Sequence, residues 1–329
     1  MRLSNHTTLR ILSIVAVSIA LYSCSNPQFS LGPSQAGTLH IDPTNARIVS
    51  SDIVNFWAAF DAGAKASDFE TLYFGKASNG LKDFVRVRAS SVNPTSLANV
   101  VRTKPRYFAS IRPFTLQAPS VGTEVQRLFA KFKRMFPDAV FSDVYLMMGS
   151  MATGGTITNN SILIGTELFG RDASTPTEEL GDWHKAVTKP ISDLPVIIAH
   201  ELIHIEQAHF GMNYGNTLLG KALQEGSADF VAELFTEKNI NQHLKEYGNP
   251  RQKELWQEFS REMNGTDISK WLYNANASVG RPADLGYYIG YKITEAYYAK
   301  ATDKHKALRE IMSMKNPQEF LTQSGYNPQ

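Results

Sequence analysis

The sequence has 329 residues, of which 43% are hydrophobic, 11% aromatic and 19% charged. These proportions are typical of a globular protein with ample apolar material for a core, and they exclude a disordered or collagen-like chain. Arg2 and Arg10 carry the only charges before residue 25, so the remaining chain has 31 basic and 31 acidic residues. A neutral chain without a basic run argues against nucleic-acid binding. The single cysteine excludes an intrachain disulfide.

The N-terminus has the features of a targeting segment. Two arginines precede an apolar run at residues 11–21, which is too short to span a bilayer comfortably. The run ends in Leu21-Tyr22-Ser23-Cys24, which resembles the lipobox of bacterial lipoproteins. The resemblance implies a signal peptide over 1–23 and a lipid on Cys24 that anchors the chain in a membrane of the bacterial cell envelope, periplasmic or outer-membrane. An ordinary signal peptide followed by an unmodified cysteine is the alternative.

The next part of the chain is predicted to be a tether followed by helices. Residues 24–40 are polar and rich in Gly, Pro and Ser, which is typical of a flexible linker. Over residues 41–137, apolar side chains recur at helical spacing, most clearly over 122–136, where Pro137 ends the pattern. We expect residues 41–329 to form a single domain, with 41–137 as its helical N-terminal part.

The pattern then changes from helices to strands and back. Residues 140–148 predict a strand, and residues 156–158 and 161–165 predict two strands joined by a turn at Asn159-Asn160. Further helices are predicted over 196–209, 218–238, 250–263, 283–300 and 304–313. The sequence therefore predicts a helix-rich α+β fold, with one small antiparallel or mixed sheet packed on helix 196–209.

The most informative segment is an H-E-x-x-H motif formed by His200, Glu201 and His204. Side chains four residues apart lie on one face of a helix, so the two imidazoles can bind a single Zn²⁺ at about 2.0–2.1 Å. Glu201 lies beside that face, placed to contact a metal-bound water. The flanking residues are apolar, and a buried imidazole needs a polar partner.

A third ligand is available in the next predicted helix. Glu225 would complete a His₂Glu set with the fourth position left to water. Asp229 follows one helical turn later and could accept a hydrogen bond from the outer nitrogen of a ligand histidine. Gly226 and Ala228 are small, which would let the two helices approach closely. The alternative is a solvated acidic face of a helix.

These motifs resemble a known enzyme class. HELIH at 200–204 followed by EGSAD at 225–229 is similar to the gluzincin branch of zinc metallopeptidases, and more narrowly to a family of predicted zinc-dependent proteases. A later GYYIGY at 286–291 is also similar. The resemblance covers roughly 140–300. It implies a zincin-like fold with its metallopeptidase core over 138–300, and a hydrolase that cleaves peptide bonds in a peptide or protein substrate. It also implies zinc ligands and a general base, namely His200, His204, Glu225 and Glu201.

A peptidase would need further groups around the zinc. Glu201 would take a proton from the attacking water, and Tyr287 or Tyr291 is a candidate to stabilise the oxyanion. Both tyrosines could instead be ordinary core residues. By the same resemblance, residues 161–165 could form a strand edge that holds an extended peptide, or simply part of a small sheet that covers the metal helix.

Two other classes of function remain open from the sequence alone. The first is a non-catalytic cell-envelope lipoprotein with a structural zinc site, which the presence of Glu201 disfavours because such a site has no use for a base. The second is a binding lipoprotein in which the motif has arisen by chance. The sequence does not indicate the oligomeric state.

Overall fold

The computed structural model describes residues 36–88, 90–275 and 280–328, so the predicted signal peptide and Cys24 lie outside the described part. The predicted α+β class is confirmed, because helices surround one small sheet. The helices before the main strands are α1 (Ser51–Asp61), α2 (Ala66–Asp68), α3 (Asn79–Val87), α4 (Pro94–Thr103), α5 (Pro105–Gln117) and α6 (Gly122–Met135). A π-helical turn, Phe69–Tyr73, continues α2.

The first described residues are bound into the fold. Strand β1 (Leu39–His40) pairs antiparallel with β3 (Phe141–Met147), and β2 (Ile48–Val49) pairs with β3 in parallel. Ala36 is buried and donates its backbone N–H to Asp83 at 3.0 Å. The tether predicted over 24–40 therefore extends too far, since its last residues, 36–40, contact the folded part. Composition alone does not predict these contacts, because their partners, Asp83 and strand β3, lie far along the chain.

The sheet is mixed. Strand β5 (Ser161–Gly165) lies between β3, to which it is parallel, and β4 (Gly155–Ile157), to which it is antiparallel. The turn between β4 and β5 contains Asn159 and Asn160, as the sequence predicts. Because β5 has a neighbour on both sides, residues 161–165 are not an edge, and the suggestion that they hold an extended peptide is wrong.

The remaining helices carry the candidate site. They are α7 (Asp182–Val187), α8 (Leu194–His209), α9 (Leu218–Thr236), α10 (Gln242–Gly248), α11 (Gln252–Glu262), α12 (Leu285–Lys300), α13 (Lys304–Met312) and α14 (Pro317–Ser324). Helix α8 packs against β3, β4 and β5 on one side and against α9 on another, which explains why its side chains are buried almost all round. None of the helices in the described ranges is both long enough and apolar enough to cross a bilayer.

Helix α9 crosses α12 at two glycines. A Cβ atom on Gly226 would lie 2.1 Å from the backbone nitrogen of Tyr291, and a Cβ atom on Gly290 would lie 1.8 Å from the carbonyl oxygen of Ala222. Any larger residue would force the two helices apart. The small residue Gly226 therefore serves the contact of α9 with α12, and the expectation that it brings α9 close to the histidine helix is wrong.

Candidate metal centre

Helix α8 places two histidines side by side in the interior. His200 and His204 are 4% and 7% exposed, and their Nε2 atoms lie 3.1 Å apart. Apolar residues surround them on α8, and Glu201 is the one polar residue between them. Four residues make about one helical turn, so the spacing in the sequence accounts for the shared face.

Each imidazole is oriented by a hydrogen bond at its other nitrogen. Nδ1 of His200 lies 2.8 Å from Oδ1 of Asp229, and Nδ1 of His204 lies 2.8 Å from Oε1 of Gln207. The amide of Gln207 is fixed in turn, because its nitrogen donates to the carbonyl oxygen of Gln224 and to the hydroxyl of Ser227. Both Nδ1 atoms therefore act as donors, which leaves the two Nε2 atoms, which face each other, as the possible metal ligands.

Helix α9 adds a carboxylate to this pair. Oε2 of Glu225 lies 3.2 Å from Nε2 of His204 and 3.6 Å from Nε2 of His200, and the side chain is only 1% exposed. Burial alone would raise the pKa of Glu225, but the neighbouring imidazoles hold it well below its ordinary value. Burial alone would likewise lower the pKa of His200, whereas its hydrogen bonds to Asp229 and Glu225 raise it well above the usual value. The interior therefore favours positive charge beside Glu225, which a divalent cation would also supply.

The three groups fit a single metal ion. His200, His204 and Glu225 are the one set of histidine and acidic side chains in the described ranges whose ligand atoms all lie close together, within 4.8 Å. With bonds of about 2.0–2.1 Å, ligand atoms around a tetrahedral zinc lie about 3.3–3.4 Å apart. The observed separations of 3.1, 3.2 and 3.6 Å bracket that value. Without a metal ion, a proton on an imidazole has to balance the buried carboxylate, as the raised pKa values of His200 and His204 indicate.

Three further residues hold the ligands from outside, and the sequence pattern indicates only one of them, Asp229. Asp229 contacts the outer nitrogen of His200, the position expected from the sequence, and its second oxygen accepts from Asn241 at 2.9 Å.

Tyr273 is a partner that the sequence does not indicate. Its hydroxyl donates to Oε1 of Glu225 at 2.7 Å. Tyr273 is 48 residues beyond Glu225 in an irregular segment, so no periodic pattern connects the two. Gln207 was also missed, yet its position three residues after His204 on one helix could have indicated the contact.

Glu201 lies beside the three groups and faces the sheet. A Cβ atom on Gly155 would lie 2.5 Å from Oε1 of Glu201, so strand β4 rests directly on this carboxylate. Burial raises the pKa of Glu201, while the two histidines act in the opposite direction. The side chain is 6% exposed, so its surroundings are those of the interior.

The two predicted tyrosines lie in different surroundings. The ring of Tyr287 stacks on that of His200, with centroids 6.3 Å apart and planes 23° apart. The hydroxyl of Tyr291 accepts instead from Nζ of Lys245 at 3.1 Å, and its ring packs edge-on against Phe230. Helix α12 therefore brings Tyr287 to the histidines but directs Tyr291 toward α10. A role for either one as a catalytic residue stays a prediction that these contacts do not test.

The fold and the site together define a helix-rich α+β protein with a buried His₂Glu group. A family model described as gliding motility protein GldB matches residues 64–328. The chain therefore belongs to this family of lipoproteins, which supports the predicted association with a membrane of the cell envelope. No curated protein and no solved structure matches the chain. The expectation of a zincin-like fold stays a prediction.

The resemblance to gluzincin metallopeptidases is wrong, and so is the assignment of the chain as a zinc metallopeptidase. The matching family is one of gliding motility lipoproteins and is not known to be a protease family, and no peptidase family matches. The peptide substrate has no support either. The resemblance rested on short motifs. The H-E-x-x-H motif indicates only that two imidazoles lie on one face of a helix, a geometry that any buried metal site can use.

Proposed function

We propose that this chain is a non-catalytic lipoprotein of the bacterial cell envelope that serves gliding motility and whose fold is stabilised by one zinc ion. His200, His204 and Glu225 would hold the ion, and lipid on Cys24 would anchor the chain on the periplasmic side of a membrane or in the outer membrane. The role in motility rests on the family that matches residues 64–328. The role of the metal rests on the geometry of the three side chains.

The observation that carries the metal proposal is the convergence of three buried ligand atoms from two helices. Two come from imidazoles whose opposite nitrogens are already committed, and the third comes from a carboxylate that is 1% exposed. Nitrogen and carboxylate ligands in this number are typical of Zn²⁺. The ion would supply the positive charge that the site favours and would join α8 to α9. Since a metal that binds only the folded chain stabilises it, occupancy should appear as thermal stability.

The metal proposal is tested with full-length protein purified in detergent. We expect one zinc per chain by elemental analysis, and loss of zinc with a lower Tm in His204→Ala, because one of three ligands is removed. His209→Ala is the matched control, since His209 is an exposed histidine at the end of the same helix. Undiminished zinc in His204→Ala would contradict the assignment.

A second measurement separates a structural role of the site from a catalytic one. In a gliding host that lacks its own copy of the gene, Glu201→Gln should support wild-type colony spreading, because it keeps the buried shape and all three ligands. His204→Ala should not support spreading. A Glu201→Gln chain that binds zinc normally yet fails to restore gliding would contradict the non-catalytic role.

The lipid anchor is tested at Cys24, which lies outside the described residues. The single cysteine is the acyl acceptor that the lipobox-like sequence requires. Cys24→Ser should move the chain out of the membrane fraction and abolish labelling with a radioactive fatty acid. Retention of the label in this variant would show that the anchor lies elsewhere.

A further inference from the structure

We propose that Tyr273 is a positioning residue that fixes which oxygen of Glu225 faces the imidazole pair. The inference rests on the metal site proposed above and goes beyond it, since it concerns how the carboxylate binds the ion. No sequence motif includes Tyr273, and its contact with Glu225 is seen only in the folded chain.

The two oxygens of Glu225 have different partners. Oε2 lies 3.2 Å from Nε2 of His204, on the side where the ligand atoms meet. Oε1 accepts the hydroxyl hydrogen of Tyr273 at 2.7 Å. A carboxylate whose second oxygen is held in this way offers a single oxygen to a metal, because turning the second oxygen inward would break a short hydrogen bond to a charged acceptor.

The backbone at Tyr273 is held in an unfavourable conformation. Its φ angle is +54°, in the left-handed region that residues other than glycine rarely adopt, and the φ angle of Asp284 is +64°. Side chains of this segment hold both backbones: the backbone N–H of Tyr273 donates to Oδ1 of Asp284 at 2.5 Å, and the backbone N–H of Asp284 donates to Oδ1 of Asn274 at 2.8 Å. Strained backbone persists where the surrounding contacts enforce it, and it is concentrated at functional sites.

This arrangement, which we call the Tyr273 clasp and define by Tyr273, Asn274 and Asp284, has a specific effect on Glu225. The clasp sets the backbone from which the tyrosine ring projects, so the hydroxyl meets Oε1 without a search through other conformations. When the hydroxyl is removed, the carboxylate is free to rotate and to present both oxygens. The number of oxygen ligands on the ion would then rise, and the affinity for metal would fall because the preferred orientation is lost.

The test uses full-length protein loaded with Co²⁺, because Zn²⁺ has a filled d shell and no visible spectrum. Tyr273→Phe should still bind one equivalent of Co²⁺, with roughly 10–100-fold weaker affinity. Its visible bands should lose intensity, as they do when four-coordinate cobalt gains a ligand. Tyr107→Phe is the matched control: it also removes a buried hydroxyl that makes a 2.7 Å bond, but to the backbone oxygen of Glu167. The control should keep the wild-type spectrum and affinity.

A second variant keeps the test decisive if Tyr273→Phe does not fold. Asp284→Gly removes the acceptor for the N–H of Tyr273 while suiting a positive φ angle, so we expect a smaller spectral change in the same direction. Wild-type spectra and affinities in both Tyr273→Phe and Asp284→Gly would overturn the positioning role and leave the metal site intact. A wild-type chain that takes up neither Co²⁺ nor Zn²⁺ would overturn the metal site itself.

Discussion

Two glutamates of this protein are equally buried and have opposite surroundings. Glu225 is 1% exposed and faces two imidazoles, which keep its pKa well below the ordinary value despite burial. Glu167 follows strand β5, is 0% exposed, and accepts hydrogen bonds from the backbone nitrogens of Gly149 and Met151 at 2.7 and 2.9 Å. Burial raises the pKa of Glu167 to about 7, since these backbone bonds only partly offset it.

The contrast shows that burial alone does not indicate the role of an acidic side chain. Glu167 ties down the segment between β3 and β4, where Met151 has a φ angle of +61°, and its partners are neutral dipoles. Its two acceptor atoms are therefore used within the protein. Glu225 faces two imidazoles on one side. Proteins bind metal ions in environments of this kind. Three measurements test whether the two glutamates differ in this way.

The largest expected effect is that of metal removal. A chelator should lower the Tm of the wild-type chain by about 10 °C, the change expected when roughly 4 kcal/mol of binding free energy is lost in a domain of this size. A chain with Glu167→Gln should start from a lower Tm and fall by a similar further amount, because Glu167 contacts none of the three ligands. The measurement is differential scanning calorimetry with and without chelator. A Glu167 variant that no longer responds to chelation would show that the two regions are coupled.

The second effect is a dependence of stability on pH that arises from Glu167. Its pKa is about 7 in the folded chain and about 4.5 when unfolded, so unfolding releases a proton between these values. The free energy of unfolding should therefore fall as pH rises from 4.5 to 7, by at most about 1.4 kcal/mol per pH unit, and this contribution is fully present only below 4.5. Urea unfolding of wild type and Glu167→Gln across this range isolates the contribution of Glu167 to the free energy of unfolding. Parallel pH profiles for the two chains would contradict it.

The smallest effect is expected at Asp229. Asp229→Asn keeps an acceptor oxygen for Nδ1 of His200 but removes the charge, so metal affinity should weaken by roughly 10–100-fold while saturating metal still gives one equivalent. Competition with a chromogenic chelator measures the affinity. Glu233→Gln serves as control, because Glu233 lies one turn further along α9 and pairs with Lys245. An equal loss in the control would assign the effect to general destabilisation of α9.

Much of the fold could be predicted because its signals are local. The β4–β5 hairpin follows from two short runs on either side of the turn at Asn159-Asn160, and α6 follows from an apolar stripe ended by Pro137. Helix α5 lies within the stretch predicted to be helical, 41–137, but its own bounds were not predicted; its Pro105 sits at the helix start, where proline is well tolerated. Short helices such as α14 were missed because a few residues carry little periodicity.

In the candidate site too, the residues that the sequence predicts are those whose spacing within a helix is local. His200 and His204 are found by spacing within one helix, and Glu225 and Asp229 by spacing within the next. Tyr273 depends on a loop whose shape is fixed by contacts distant in sequence, so no pattern could have identified it. The failure of the peptidase interpretation has a different origin: spacing predicts which side chains can meet, whereas reaction chemistry depends on the whole cleft and its partners.

The attachment of the first described residues to β3 has a mechanical consequence. Asp143 is fully buried and accepts hydrogen bonds from the backbone and guanidinium of Arg47 and a contact from His40. Tension applied through an N-terminal lipid would therefore enter the domain at a central strand and at a buried carboxylate. Strand β3 lies beside β5 and against α8, so the load would reach the helix that carries both histidines. In a protein of a motility system, helix α8 would then form part of the force-bearing framework.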